Sequence, residues 1–149
     1  MSETTAGKQK IVTGNTYQRH RQETKFDVLD IAVELKHKVS VYVMNEKRVS
    51  KKWRYFNGKP AADYARMIRD CVSMANDIFL DKDNLQYRKQ LQEKALSYCN
   101  LLQFQLMDII AECDGATEES MRSIVDLLLD LTRKIKKWIK TDSDRIGTT

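Results

Sequence analysis

Apolar residues recur at three- and four-residue steps through four long stretches of this chain, and such steps predict helices. The clearest runs over about Leu85–Asp114, where Leu91, Ala95, Tyr98, Leu102, Leu106, Ile109 and Cys113 mark one face. Gly115 follows, where a left-handed residue commonly ends a helix. Thr117 then reads as an N-cap, with Glu118 and Glu119 in a first turn whose dipole favours acids. The stripe of that last helix is Met121, Ile124, Leu128, Leu131, Ile135 and Trp138, and it is expected to stop near Lys140. Upstream, Phe26, Leu29, Ala32, Val33, Val39 and Val43 line a first helix over about Thr24–Asn45, with Asp27, Asp30, Glu34 and Lys38 facing water. Its end, Val39–Val43, also reads as a strand, but no partner strand lies nearby. A second helix over about Pro60–Leu80 places Tyr64 or Ala65, Ile68, Val72, Ala75 and Phe79 inward, with Pro60 in its first turn. Asp81–Asn84 is a short turn.

Four such helices with short turns predict an all-α fold, an antiparallel up-down-up-down four-helix bundle over residues 25–141. Residues 1–24 lack periodicity and read as a basic arm, and 142–149 as a polar tail. Glu46–Lys59 is the chief interruption, closing on Asn57-Gly58-Lys59-Pro60. With one Pro and five Gly in 149 residues, the interior is poor in helix breakers, as long helices require. Val28, Val41, Met67, Met74, Leu96, Leu101, Phe104 and Leu127 fall off the narrow stripes. Wide core faces account for some of them, and the rest predict a second buried surface and hence a homo-oligomer.

Charge adds what periodicity cannot. Residues 1–25, 47–59 and 133–145 hold 17 of the 26 Lys and Arg but only 4 of the 21 Asp and Glu. An acidic body therefore carries basic segments, and clusters of that kind attract polyanions, chiefly nucleic acid. The candidate binding residues are Lys47, Arg48, Lys51, Lys52, Trp53, Arg54, Tyr55 and Lys59, with Arg133, Lys134, Lys136, Lys137 and Lys140 on the last helix. In Lys51-Lys-Trp-Arg-Tyr-Phe56 the rings of Trp53, Tyr55 and Phe56 can stack on unpaired bases while cations hold phosphates. The competing reading makes Trp53 or Phe56 a plug for the end of the core.

Catalytic chemistry is hard to find. Glu34-x-x-His37 is half of a di-iron bundle signature, but the only other histidine is His20, so His37 reads as solvated. No phosphate-binding loop, nucleophile elbow or H-E-x-x-H motif occurs. Cys71, Cys99 and Cys113 are widely spaced within apolar patterns and read as small buried hydrophobes. The first 25 residues are polar, and Asp126 and Asp130 break the longest apolar stretch, which argues against a membrane span. The expectation is a cytoplasmic, non-enzymatic protein without cofactor, metal or membrane.

Trp53-Arg54-Tyr55, then Gly58, Ala65, Ile68 and Ala75-Asn76-Asp77-Ile78, together with Ile135-Lys-Lys-Trp-Ile139-Lys140, resemble the Avd-like four-helix-bundle family over about residues 26–141. That family includes the accessory variability determinants of diversity-generating retroelements. A wider branch comprises bundle proteins encoded by intervening sequences in bacterial large-subunit ribosomal RNA genes. The resemblance implies a non-catalytic homo-oligomeric barrel, a homopentamer, that binds a reverse transcriptase and nucleic acid, supporting mutagenic cDNA synthesis from a template RNA. The alternative it implies is an intervening-sequence type of oligomer, an RNA-binding or protein–protein scaffold without a reverse transcriptase. This chain departs from the family in its long basic arm and its longer 46–59 segment.

Overall fold

A computed structural model describes residues 16–147, with side chains from Asp27 onward. Its elements are α1 (Thr16–Met44), a short α2 (Lys51–Trp53), a π-helical turn (Arg54–Gly58), α3 (Lys59–Asp77), α4 (Leu85–Glu112) and α5 (Glu118–Gly147). The fold is all-helical, with no strand among the described residues. Four long helices enclose one core. Leu35 and Val39 of α1, Ile68 of α3, Leu102, Leu106 and Ile109 of α4, and Met121, Leu128, Leu131 and Ile135 of α5 are wholly buried there. α1 and α4 each pack against both α3 and α5.

The predicted stripes of α4 and α5 are the inward faces found. On α1 the face is shifted: Val33 is 48% exposed, while Leu35 and Tyr42 take inward positions. The Val39–Val43 stretch is helical, because Val39, Tyr42 and Val43 then share one buried side. Of the apolar residues off the stripes, Val28 is buried and Leu96 and Leu127 pack on the core, whereas Val41, Met74, Leu101 and Phe104 stay exposed. α1 begins at Thr16 rather than Thr24, so the expected 1–24 arm lies mostly outside the described residues.

The interruption expected over Glu46–Lys59 is confined to residues 45–50. From Lys51 to Asp77 the chain is one helix with a widened turn in it. Asn57-Gly58 is therefore not a loop, and Gly58 is buried with Val43 so close that a Cβ would stand 3.3 Å from the valine's own. The π turn answers Pro60, which has no N–H to donate and whose ring crowds the carbonyl four residues back. The Lys59 N–H reaches instead to the Arg54 carbonyl. α3 ends at Asp77, and Ile78 is extended, which carries Phe79 into solvent at 75% exposure instead of onto the core.

α4 stops at Glu112, and Gly115 is not a left-handed cap. A Cβ at Gly115 would lie 1.7 Å from the Lys47 carbonyl oxygen, so glycine is required by the approach of the 45–50 backbone. Thr117 does cap α5. Its Oγ1 accepts from the Ser120 N–H at 3.0 Å, and the Ser120 hydroxyl accepts from the Thr117 N–H at 3.1 Å, a reciprocal box.

α5 continues past Lys140 to Gly147 because Asp142 has a buried partner. Arg88 grips its carboxylate through Nε at 2.7 Å and Nη2 at 3.2 Å, and Gln92 donates to it at 2.9 Å. Arg88 Nη1 also donates to the Ile78 carbonyl at 2.8 Å, tying α3's end to α4 and α5. Trp138 lies across the guanidinium, 5.3 Å from ring centroid to carbon. Asp142 belongs to the stretch expected as a polar tail, yet, paired, it is 2% exposed.

Asp142→Ala strands a buried guanidinium and is expected to cost about 3–5 kcal/mol in urea unfolding. Asp144→Ala, which removes only an exposed partner of Lys140, should stay within about 1 kcal/mol. Gly115→Ala is expected to cost about 1–3 kcal/mol in the same measurement, because neither backbone can yield freely.

Candidate nucleic-acid interface

The expected binding residues fall into two groups at opposite ends of the helices. Lys47 to Lys59 sit where α1 ends and α5 begins, since Arg48 Nη1 donates to the Gly115 carbonyl at 3.2 Å and the Tyr42 and Ser120 hydroxyls are bonded at 2.7 Å. Arg133 to Lys140 lie in the second half of α5, where Lys134 contacts Asp27, well back along α1 from Tyr42. Glu118 and Lys134 are separated by about 24 Å along α5 at ~1.5 Å per residue. The two groups are not one continuous surface.

Within the first group, several candidates serve the fold. Arg54 Nη2 donates to the Met44 carbonyl at 3.3 Å, meeting an orphan acceptor at the end of α1. Arg48 is likewise committed to the Gly115 carbonyl. Trp53 is half-buried and packs on the core, so it is the plug, while Phe56, the other candidate plug, points outward at 69% exposure. Tyr55 is 70% exposed beside it. Lys51 has only a long 3.9 Å pair with Glu46, and Lys59 is paired with Asp63 at 2.7 Å. Lys47 and Lys52 make no ion pair among the described residues.

A polar cleft of about 230 Å³ opens here, lined by Lys47, Arg48, Lys52 and Trp53 but also by Glu46, Glu112 and Asp114. The acids weaken the positive potential inside the cleft, a feature the basic run 47–59 gave no sign of. Glu112 comes from the end of α4 and enters through Asn57, whose Nδ2 donates to it at 2.9 Å while Oδ1 accepts from Gln105 at 3.0 Å.

On α5, Arg133, Lys136, Lys137 and Lys140 are all exposed, and their three- and four-residue spacing gathers them on its outer side. Arg133 pairs with Asp130 at 2.7 Å and Lys140 with Asp144 at 3.2 Å. Lys134 is turned toward α1, where the Asp27 carboxylate holds its ammonium above lysine's usual range, with Asp130 adding to the effect. Lys136 and Lys137 make no ion pair among the described residues and are the least committed cations of this group.

Nucleophilic or metal chemistry finds little to work with. The three cysteines are buried and form no disulfide, and desolvation pushes the Cys99 thiol up to about 11, leaving almost no thiolate at neutral pH. Glu34 and His37 both face solvent. No group of three potential metal ligands gathers among the described residues, and no described helix is long and apolar enough to cross a membrane.

Comparison with family models, curated proteins and solved structures finds no match to this chain. What fold and surface define together is an all-helical, four-helix protein with two separate clusters of exposed cations.

If the uncommitted lysines set polyanion affinity, Lys136→Ala with Lys137→Ala should weaken binding of a labelled RNA several-fold at low salt. Arg48→Ala and Arg54→Ala should instead lower the unfolding midpoint, the outcome expected for side chains spent on carbonyls. Anisotropy titrations and thermal melts of the same variants check the division.

Proposed function

We propose that this protein is a non-catalytic, nucleic-acid-binding accessory of a retroelement reverse transcriptase, supporting cDNA synthesis from a template RNA. The observation that carries the nucleic-acid part is the concentration of basic residues in 47–59 and 133–145, within which the exposed Lys47, Lys52, Lys136 and Lys137 make no ion pair among the described residues. A soluble surface normally intersperses charge; here basic residues are concentrated in a few segments of an otherwise acidic chain. Each phosphate contact is weak and salt-sensitive, so useful affinity comes from repeating the contacts.

Repetition requires self-association. Val41, Met74, Leu101, Phe104 and Met107 are exposed apolar side chains that a neighbouring copy would cover, which supports the homo-oligomer. Five copies follow the Avd-like resemblance. Within the protomer, an antiparallel up-down-up-down bundle is supported by contact order: Tyr42 of α1 meets Ser120 early in α5, and Asp27 meets Lys134 later in it. The reverse-transcriptase partnership rests on the Avd-like motifs, among which Trp53 and Gly58 occupy packed positions. No base-reading motif accompanies the cations, so this protein alone should show little sequence preference.

Co-expression of the tagged protein with a retroelement reverse transcriptase encoded beside it is expected to yield a complex that survives nuclease treatment. Recovery of RNA without any polymerase would instead favour the ribosomal intervening-sequence type of scaffold. Recovery of neither, with no binding to RNA or DNA at low salt, would contradict the proposal.

A further inference from the structure

The outer side of the Lys51–Asp77 helix opens with Lys51 and Lys52, presents Tyr55 and Phe56, and returns to Lys59, all exposed. The two rings meet edge to face, with centroids 5.4 Å apart and planes at 85°. Leaving both in water forgoes the stabilisation their burial would bring. Their mounting is firm. Asn57 and Gly58, the next residues along the turn, are buried, and Asn57 is held by Glu112 and Gln105. Beside the rings lies a groove of about 360 Å³ lined by Tyr55, Phe56, Lys59, Pro60, Asp63 and Tyr64. Apart from the proline ring, no aliphatic side chain lines it.

We infer that this face binds single-stranded nucleic acid, seating an unpaired base against Tyr55 and Phe56 while Lys52 and Lys59 hold flanking phosphates. The inference rests on the nucleic-acid reading above and adds to it a selectivity for unpaired strands. A duplex keeps the faces of its bases stacked inside, whereas a single strand offers them to protein rings. Lys52 and Lys59 stand about 10 Å apart along the helix axis, a length over which a stacked strand carries roughly three phosphates. Charge decides between a strand and an apolar protein segment as the occupant. Lys52 has no ion pair among the described residues, and its ammonium sits 5.8 Å from the Trp53 ring centroid. The Lys51–Glu46 and Lys59–Asp63 pairs are exposed, so each is weak enough to be exchanged for a phosphate.

Anisotropy titrations of the full chain with labelled oligothymidylate, and with a duplex of equal length, test the face directly. The wild type is expected to prefer the single strand. The double variant Tyr55→Ala/Phe56→Ala should lose roughly five- to a hundredfold on that strand and keep its duplex affinity. Tyr55→Phe/Phe56→Tyr, which keeps both rings, should retain single-strand binding. Circular dichroism melts should show all variants folded, because neither ring supports the core. A preference for duplex, an equal loss on both ligands, or no loss at all would overturn the ring site while leaving the electrostatic reading in place. Unchanged affinity is also what rings reserved for docking a protein would give. If the wild type binds neither ligand at low salt, the nucleic-acid reading fails and the inference falls with it.

Discussion

The basic segment owes its form to the seat of the 45–50 backbone against Gly115, where the Lys47 carbonyl comes so near that no side chain can intervene. With that backbone held, Arg48 reaches the Gly115 carbonyl and the chain re-enters a helix at Lys51. Gly58 lets this helix lie against Val43, and the π turn carries it past Pro60. These contacts sort the cations. Arg48 and Arg54 are consumed by carbonyls, Trp53 is drawn onto the core, and Lys52, Tyr55 and Phe56 are left facing out. A flexible loop of the same composition would present every cation and every ring in turn, and would lose entropy on binding.

The far end is closed by a different device. Arg88, Gln92 and Asp142 form a buried polar cluster that joins α4 to α5, and through the Ile78 carbonyl reaches the end of α3. A buried ion pair adds little net stability over an apolar substitute, but it penalises any register that separates the partners. The last turns of α5 are thereby held as helix, and its outer lysines stand on a rigid rod.

Helix number and most of the core were legible in the sequence, because packing selects an apolar stripe whatever the neighbours are. Met121, Ile124, Leu128, Leu131 and Ile135 needed no tertiary information, and neither did the Thr117 cap. Three features depended on contacts far apart in the chain and left no local trace. Gly58 and Pro60 carry the signature of a turn, yet a close approach to Val43 and a widened turn absorb both. Asp142 sits in a polar stretch and only its distant partner Arg88 makes it a core residue. Phe79 obeys the periodicity of α3, but the helix ends before reaching it. The candidate interface was legible at the level of charge clusters. Which cations are committed was not, because carbonyl partners and acids such as Glu112 arrive from other helices.

The electrostatic binding proposed for this protein has little need of a preformed pocket, and in the polar cleft at the loop end three acids offset the three cations that line it. Its affinity should come from outward cations and be governed by release of counterions from the strand. The salt dependence of wild-type binding to single-stranded RNA tests this most directly. With about four phosphates engaged per protomer, log K is expected to fall against log salt with a slope near −3. A flat line, or no binding at low ionic strength, would contradict the account.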